Sequence, residues 1–586
     1  MKSPRLLRLF ARKKRKAKRD GNTLGVHRLP PELLIYVFEL CVQLQGSNEF
    51  LFYSPCRDIQ SPALTLSQVC AHWRSLAHGI PMLWGRIGIK IIGPLIKHQD
   101  RAMLQTLEMH FERSCDSPIE LSYESTYYPN PVTEMCSSRS HILVHRLQHL
   151  KVVVDRVKKF PGLTVDGTRT QKTVFPELRS LVLISSLEGL HQVEEVTMAN
   201  LASTQEFGPE AEKVSFPKLR ELSMPLYGSS TGNLHIPWRQ LTSLTLGCNP
   251  KTDVTSILKE CPCLIYLTIR MIYIPGVRLE ETYRDTTAPP LLTLERLEYL
   301  AFQVDSNRRT YNSVTKLLQR LTCPSLLSLS LSCLHKFSDY NIGYFFDEDV
   351  TGLIVRSQCQ DTLRSLEVSG IPVAEASLLA ILHLTPSLTS FSFSECSFAL
   401  ADWEIDGTLF AGLIDEGAEK GEKLVPNLRD IRIVLEGRYD IFSACRDTPL
   451  GAFEALIRSR LLDLHSAVID IPHGALASNW YPDVGGLREI QQRKDVQVAL
   501  KVVAGDTEFR VPSRITDIQQ FPFNDPFRFV PDVLGGQLDA ILTSLAGIKE
   551  KLFLDRLSHL VGLCIDWMLR ISLFSLDQIS SLDSII

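Results

Sequence analysis

The sequence predicts an α/β chain: a small N-terminal helical unit, then an irregular repeat solenoid with a C-terminal helical cap. Three observations predict it. "HRLPPELLIYVFELCVQ", His27 to Gln43, starts on prolines and confines its polar residues Glu32, Tyr36, Glu39 and Gln43 to one narrow helical stripe. A short phrase with alternating apolar positions then recurs through the middle of the chain. Near the end, Leu538, Ile541, Leu542, Leu545, Ile548 and Leu552 fall at helical spacing.

Composition sets the limits within which these elements are read. The chain has 586 residues and a formal net charge of −3. Its first 20 residues hold ten Lys or Arg and one Asp, which leaves the rest of the chain at −12. A basic disordered tail is expected over 1–22. "RKKRKAK" within it, with Arg12, Lys13, Lys14, Arg15 and Lys16, reads as a nuclear-import signal or a nonspecific anionic contact, or else as a solvated disordered terminus. The expected location is nucleus and/or cytoplasm. No signal peptide is expected, because Arg8 interrupts the short apolar stretch. No window supplies about 20 uncharged apolar residues, so no membrane partner is expected. The 14 cysteines form no CxxC pair and read as reduced, buried small hydrophobes. Cys261 and Cys263 lack a second ligand pair, so neither metal nor other cofactor is expected.

The helical unit is assigned to 23–90. Pro31 suits a first helical turn, and Glu32 complements the helix N-terminus. The helix is apolar on more than one side, which leaves surface to offer a partner. A polar insert follows, and order is expected to resume at Leu64. From there Leu66, Val69, Cys70, Trp73, Leu76 and Ala77 lie on one face of a single helix, which ends at "PMLW". A unit of about 60 residues is small for an independent core.

The repeats are assigned to 91–504. "FPELRSLVL" from Phe175, "FPKLRELSM" from Phe216, "WRQLTSLTL" from Trp238 and "CPCLIYLTI" from Cys261 share one frame. So do "LERLEYLAF" from Leu294, "CPSLLSLSL" from Cys323, "TPSLTSFSF" from Thr385 and "VPNLRDIRI" from Val425. "LQHLKVVV" and "DTLRSLEVSG" are weaker copies. The last two apolar positions have strand period. The first leucine turns the chain into the strand, and proline before it is expected at the strand's start. First leucines recur every 22 to 41 residues, and the longer gaps leave room for a helix. Residues flanking the middle apolar position should point outward. Among them Tyr266 and Tyr299 are the best anchors for a protein target, or else solvent-facing tyrosines, and Asp430 and Arg432 the charged candidates. These flanking positions show no basic stripe, so no nucleic acid is expected on this face. The segment 505–586 reads as a covering segment with the amphipathic helix.

Two resemblances follow. The repeat frame resembles an irregular leucine-rich repeat over roughly 140 to 500, although the family's asparagine is mostly missing: Asn249 occupies its place once and Cys396 once. "LPPELLIYVFELC" with "LSQVCAHWRSLAHGIPMLW" resembles an F-box, in the form abundant in mushroom-forming fungi. The matching positions are Leu29, Pro30, Glu32, Leu33, Val37, Phe38, Val69, Cys70, Trp73, Leu83 and Trp84. The F-box resemblance implies docking of those residues onto a Skp-type adaptor and, through it, a cullin. For Trp73 and Val69, the domain's own core is the equal alternative. The implied function is a non-catalytic substrate receptor of a ubiquitin ligase, or a scaffold that does not promote degradation. No nucleotide-binding or hydrolase motif is found, so an enzyme is not expected.

Overall fold

The protein is described by a computed structural model. It describes residues 30–45, 48–53, 57–92, 97–125, 145–154, 174–185, 214–226, 234–250, 252–272, 291–305, 307–333, 347–394, 408–414, 424–434, 449–460, 463–471, 489–490, 499–504 and 507–510. The tail with Arg12–Lys16, Leu29 and the helix at 538–552 lie outside the described residues. The described residues are mixed α/β and fall into two compact units, one up to Glu120 and one from Leu121.

The first unit is built on α1 (Pro31–Gln45), α2 (Pro62–Val69), α3 (Ala71–His78) and α4 (Lys97–Arg113). The Pro30 carbonyl accepts the first helical bonds, from the N–H groups of Leu33 and Leu34 at 3.1 and 3.2 Å. Pro31 heads the helix, where its missing N–H leaves nothing unsatisfied. Two expectations are corrected here. The insert after α1 is ordered well before Leu64: β1 (Asn48–Tyr53) and β2 (Arg57–Gln60) form an antiparallel hairpin, and β1 also pairs in parallel with β3 (Arg86–Ile92). The second helix is two helices. Cys70 is extended (φ −158°, ψ 172°), and its sulfur accepts the Trp73 N–H at 3.4 Å, so it ends α2 and caps α3. Across the break Leu66, Trp73 and Ala77 stay buried in one core, while Val69 is exposed.

The described residues contain a large parallel sheet of 13 strands that does not close, most of it in the second unit. They are β4 (Ile119–Ser125), β5 (Leu147–Val154), β6 (Ser180–Ser185), β7 (Glu221–Leu226), β8 (Ser243–Cys248), β9 (Tyr266–Met271), β10 (Tyr299–Val304), β11 (Ser328–Cys333), β12 (Ser365–Ser369), β13 (Ser390–Ser394), β14 (Asp430–Val434), β15 (Ser466–Ile471) and β16 (Ala499–Ala504). From β5 to β16 each strand pairs with the next. A last strand, β17 (Thr507–Arg510), adds antiparallel. Leu244, Leu267, Leu300, Leu329, Leu366 and Phe391 stand in one register line, all buried.

The repeated phrase makes this register by a repeated turn. The first leucine donates its N–H to the carbonyl three residues back: Leu219 to Phe216, Leu326 to Cys323 and Leu388 to Thr385, each at 3.2 Å. The proline therefore lies in a turn, a correction of the expected strand start. At the turn's second position its fixed φ is favoured and its missing N–H is not needed. The first leucines Leu178, Leu219, Leu241, Leu264, Leu297, Leu326, Leu363, Leu388 and Leu428 are buried, as are the turn-start residues Phe216, Cys261, Cys323, Thr385 and Val425. Burial pushes the Cys261 and Cys323 thiols up to about 12, the pKa of inert packing groups rather than reactive ones.

Between strands run α5 (Val254–Lys259), α6 (Arg308–Arg320), α7 (Asp347–Ser357), α8 (Glu375–His383), α9 (Thr408–Leu413) and α10 (Pro449–Ser459). From α6 to α10 each packs on the next, and Phe410 meets Phe453 edge-on at 6.1 Å. Asp253 caps α5 and Asn307 caps α6 through their side-chain oxygens. Arg460, just past α10, is buried and donates to the carbonyls of Leu413, Leu424 and Val425.

Candidate functional site

Two surfaces answer to the residues singled out in the sequence, one on each unit. On the first, a core gathers Leu34, Val37, Phe38 and Cys41 of α1 with Leu66, Trp73, Ala77, Leu83 and Trp84. Phe38 and Trp73 lie 4.9 Å apart, centroid to centroid, tilted by 59°. The Trp84 indole N–H donates to the Ala77 carbonyl at 2.8 Å, and the Arg113 guanidinium covers the ring at 4.5 Å. The Trp73 indole N–H has no acceptor among the described residues. Of the eleven motif positions, Val37, Phe38, Trp73, Leu83 and Trp84 are thus buried in the unit's own core. Pro30 and Glu32 are exposed, and Leu33 and Cys70 are half-buried. Exposed apolar side chains add Tyr36, Val69 and Met82 at 38, 36 and 63%.

Sequence reading missed a polar group beneath this core. His110 of α4 is fully buried and meets the edge of Trp84 at 5.0 Å. Its Nδ1 bonds the Thr106 carbonyl at 2.8 Å, so Nδ1 carries the proton and Nε2 accepts from the Ser61 hydroxyl at 3.1 Å. Ser61 Oγ in turn accepts the Leu64 N–H and caps α2. Burial lowers the His110 pKa to about 4; the Thr106 carbonyl opposes this and the Arg113 charge adds to it. A lone histidine on the far side of an unrecognised helix gave no sequence signal.

On the second unit the strand face is the candidate. Tyr266 is 51% exposed, Tyr299 is half-buried, and the two stand opposite in register with rings 6.2 Å apart. Asp430 and Arg432 of β14 are exposed. Not every flanking position points to solvent. Ser180, Ala301 and Ser330 are buried. Ser330 donates to Glu367 across the β11–β12 pair at 2.9 Å. Asn249 is buried and accepts from the Thr252 hydroxyl at 3.2 Å.

Among the described residues no group of three His, Cys, Asp or Glu is placed to hold a metal ion. No described helix is long and apolar enough to cross a membrane. No family model matches the chain, and no curated protein matches it.

Proposed function

We propose that the chain is a non-catalytic substrate receptor of a Skp–cullin–F-box ubiquitin ligase. In this reading the first unit is the F-box that holds a Skp-type adaptor, and the second is a leucine-rich-repeat solenoid that holds a protein target. One observation carries it. Motif residues far apart in sequence converge: Phe38, Trp73, Leu83 and Trp84 share one core, while Pro30, Glu32 and Leu33 stay at its surface. That division suits a small unit that shapes itself from within and docks by its helix start. The buried members act through the shape they give the surface. The repeats support the second half through their unbroken register and an exposed strand face. The receptor's contribution to transfer would be positioning, which raises the effective concentration of a target lysine near an activated thioester. The basic tail suits a nuclear or cytoplasmic location.

Replacing Leu29 and Pro30 by alanine tests the reading. Recovery of a Skp-type adaptor should fall by about 30-fold, the effect of an anchor worth about 2 kcal/mol. Full recovery with the variant folded would remove the reading. Target half-life with and without the protein then separates a receptor from a scaffold.

A further inference from the structure

A row of residues immediately before the strands lies next to the positions that flank the middle leucines. At each junction from Arg179 to Arg429 the residue after the first leucine gives its carbonyl to two N–H groups of the next repeat. The Arg179 carbonyl accepts from Arg220 and Glu221 at 2.9 and 3.0 Å, and the Leu327 carbonyl accepts from Arg364 and Ser365 at 2.7 and 3.0 Å. This bonding fixes the order along the array. Gln148, whose carbonyl accepts the Arg179 N–H at 2.8 Å, comes first, followed by Arg179 and Arg220. Thr242, Ile265, Glu298 and Leu327 form the middle, and Arg364, Thr389, Arg429 and His465 follow.

The row therefore carries two arginines on each side of a centre that holds the apolar Ile265 and Leu327. All four arginines are exposed. Among the described residues Arg179, Arg220 and Arg429 form no ion pair, although Glu221 and Asp430 lie one residue away. Arg364 gives one N–H to the Ser387 carbonyl at 2.8 Å. At the centre, exposed Leu327 and half-buried Ile265 adjoin the Tyr266–Tyr299 pair. The one carboxylate in the row, Glu298, also lies there, where it repels acidic groups from the middle. Five junctions separate Arg220 from Arg364, a span of about 24 Å at roughly 4.8 Å per strand. An extended chain covers that distance in about seven residues.

We propose that this face binds an extended protein segment lying along the array, with an apolar or aromatic centre and acidic clusters about seven residues apart at its ends. The inference rests on the reading of the strand face as the target surface and specifies the target's chemistry. Arginine on both sides of the centre suits carboxylates. The apolar centre with Glu298, on a chain whose residues after the first 20 sum to −12, favours a peptide over a nucleic acid.

The test uses the full chain and fluorescein-labelled 15-residue peptides with a Trp/Leu centre, read by anisotropy. One peptide has Asp/Glu clusters at both ends, a second has Lys clusters there, and a third carries the acids in its middle. A single-stranded oligonucleotide is the fourth probe. The acid-flanked peptide should bind about tenfold tighter than each of the other three. Arg220→Glu with Arg364→Glu should abolish that preference and favour the Lys-flanked peptide. Tyr266→Ala with Tyr299→Ala should weaken both. A thermal midpoint confirms that each variant is folded. Absence of binding by any probe, equal binding of the acid-centred peptide, or tighter binding of the oligonucleotide would overturn the proposal. Adaptor recovery from the Leu29/Pro30 variant reports on the receptor reading alone. Peptide selection without adaptor binding removes that reading and leaves this surface; adaptor binding without peptide selection does the reverse.

Discussion

The two units solve the same packing problem in opposite ways. The helical unit concentrates its stability in a few large aromatic side chains, Phe38, Trp73 and Trp84, that meet at one point. The sheet spreads its stability over identical small contributions, one buried leucine line and one turn per repeat. Concentration makes a unit of this size possible but leaves each anchor indispensable. Repetition makes each contribution local, because a repeat touches chiefly its neighbours.

The contrast is sharpened most by removing an anchor. Trp84→Ala deletes a fully buried ring, its bond to Ala77 and the seat of Arg113, at a cost of about 3–5 kcal/mol. Amide exchange should accelerate together across α1, α2 and α3. Exchange confined to the neighbourhood of Trp84 would break the idea of a concentrated core. Leu267→Ala is the counterpart in the sheet. The lost side chain is fully buried, and about 2–5 kcal/mol is expected. Here faster exchange should centre on β8, β9 and β10 and leave the α9–α10 region protected. A uniform loss along the array would refute local stability.

Acid acts on the helical unit through His110. His110 is neutral in the folded unit at a pKa near 4, while its unfolded value is about 6.5. The unfolded chain therefore binds more protons between those values. The stabilisation is complete above about pH 6.5 and is lost as pH falls toward 4, up to about 3 kcal/mol. Denaturation of wild type and His110→Gln across this window checks it; the variant's slope should be flatter. Parallel slopes would place the acid sensitivity elsewhere. The smallest effect is expected at the exposed pair. Tyr266→Ala with Tyr299→Ala should shift stability by no more than about 0.5 kcal/mol, by thermal melts, because truncation at the surface opens no cavity.

Much of the second unit was legible before any coordinates. The repeated frame of apolar positions located the strands from β5 to β14, and the weak copy at Leu147 proved to be β5. The copy ending in β15 was missed: buried Leu464 is its first leucine, but Ala467 stands where a leucine was sought. The arginine row escaped because attention to the residues flanking the middle leucine passes over the residue after the first one. In the helical unit the motif residues were legible and their exposure was not. A 3.6-residue period shows which side chains share a face only while the helix continues, and the cap at Cys70 ends it.

The sequence by itself determined which residues must leave water. Apolar periodicity and turn chemistry are local properties, set within a few residues by side-chain type and backbone sterics. What only the tertiary structure decided is which surfaces remain after that burial. The structuring of the β1–β2 insert, the burial of His110 against Ser61 and Trp84, and the alignment of arginines from separate repeats all bring together groups from different segments of the chain. Such groups meet only when strands and helices pack. Their distances follow from strand spacing and helix packing, which no local pattern encodes.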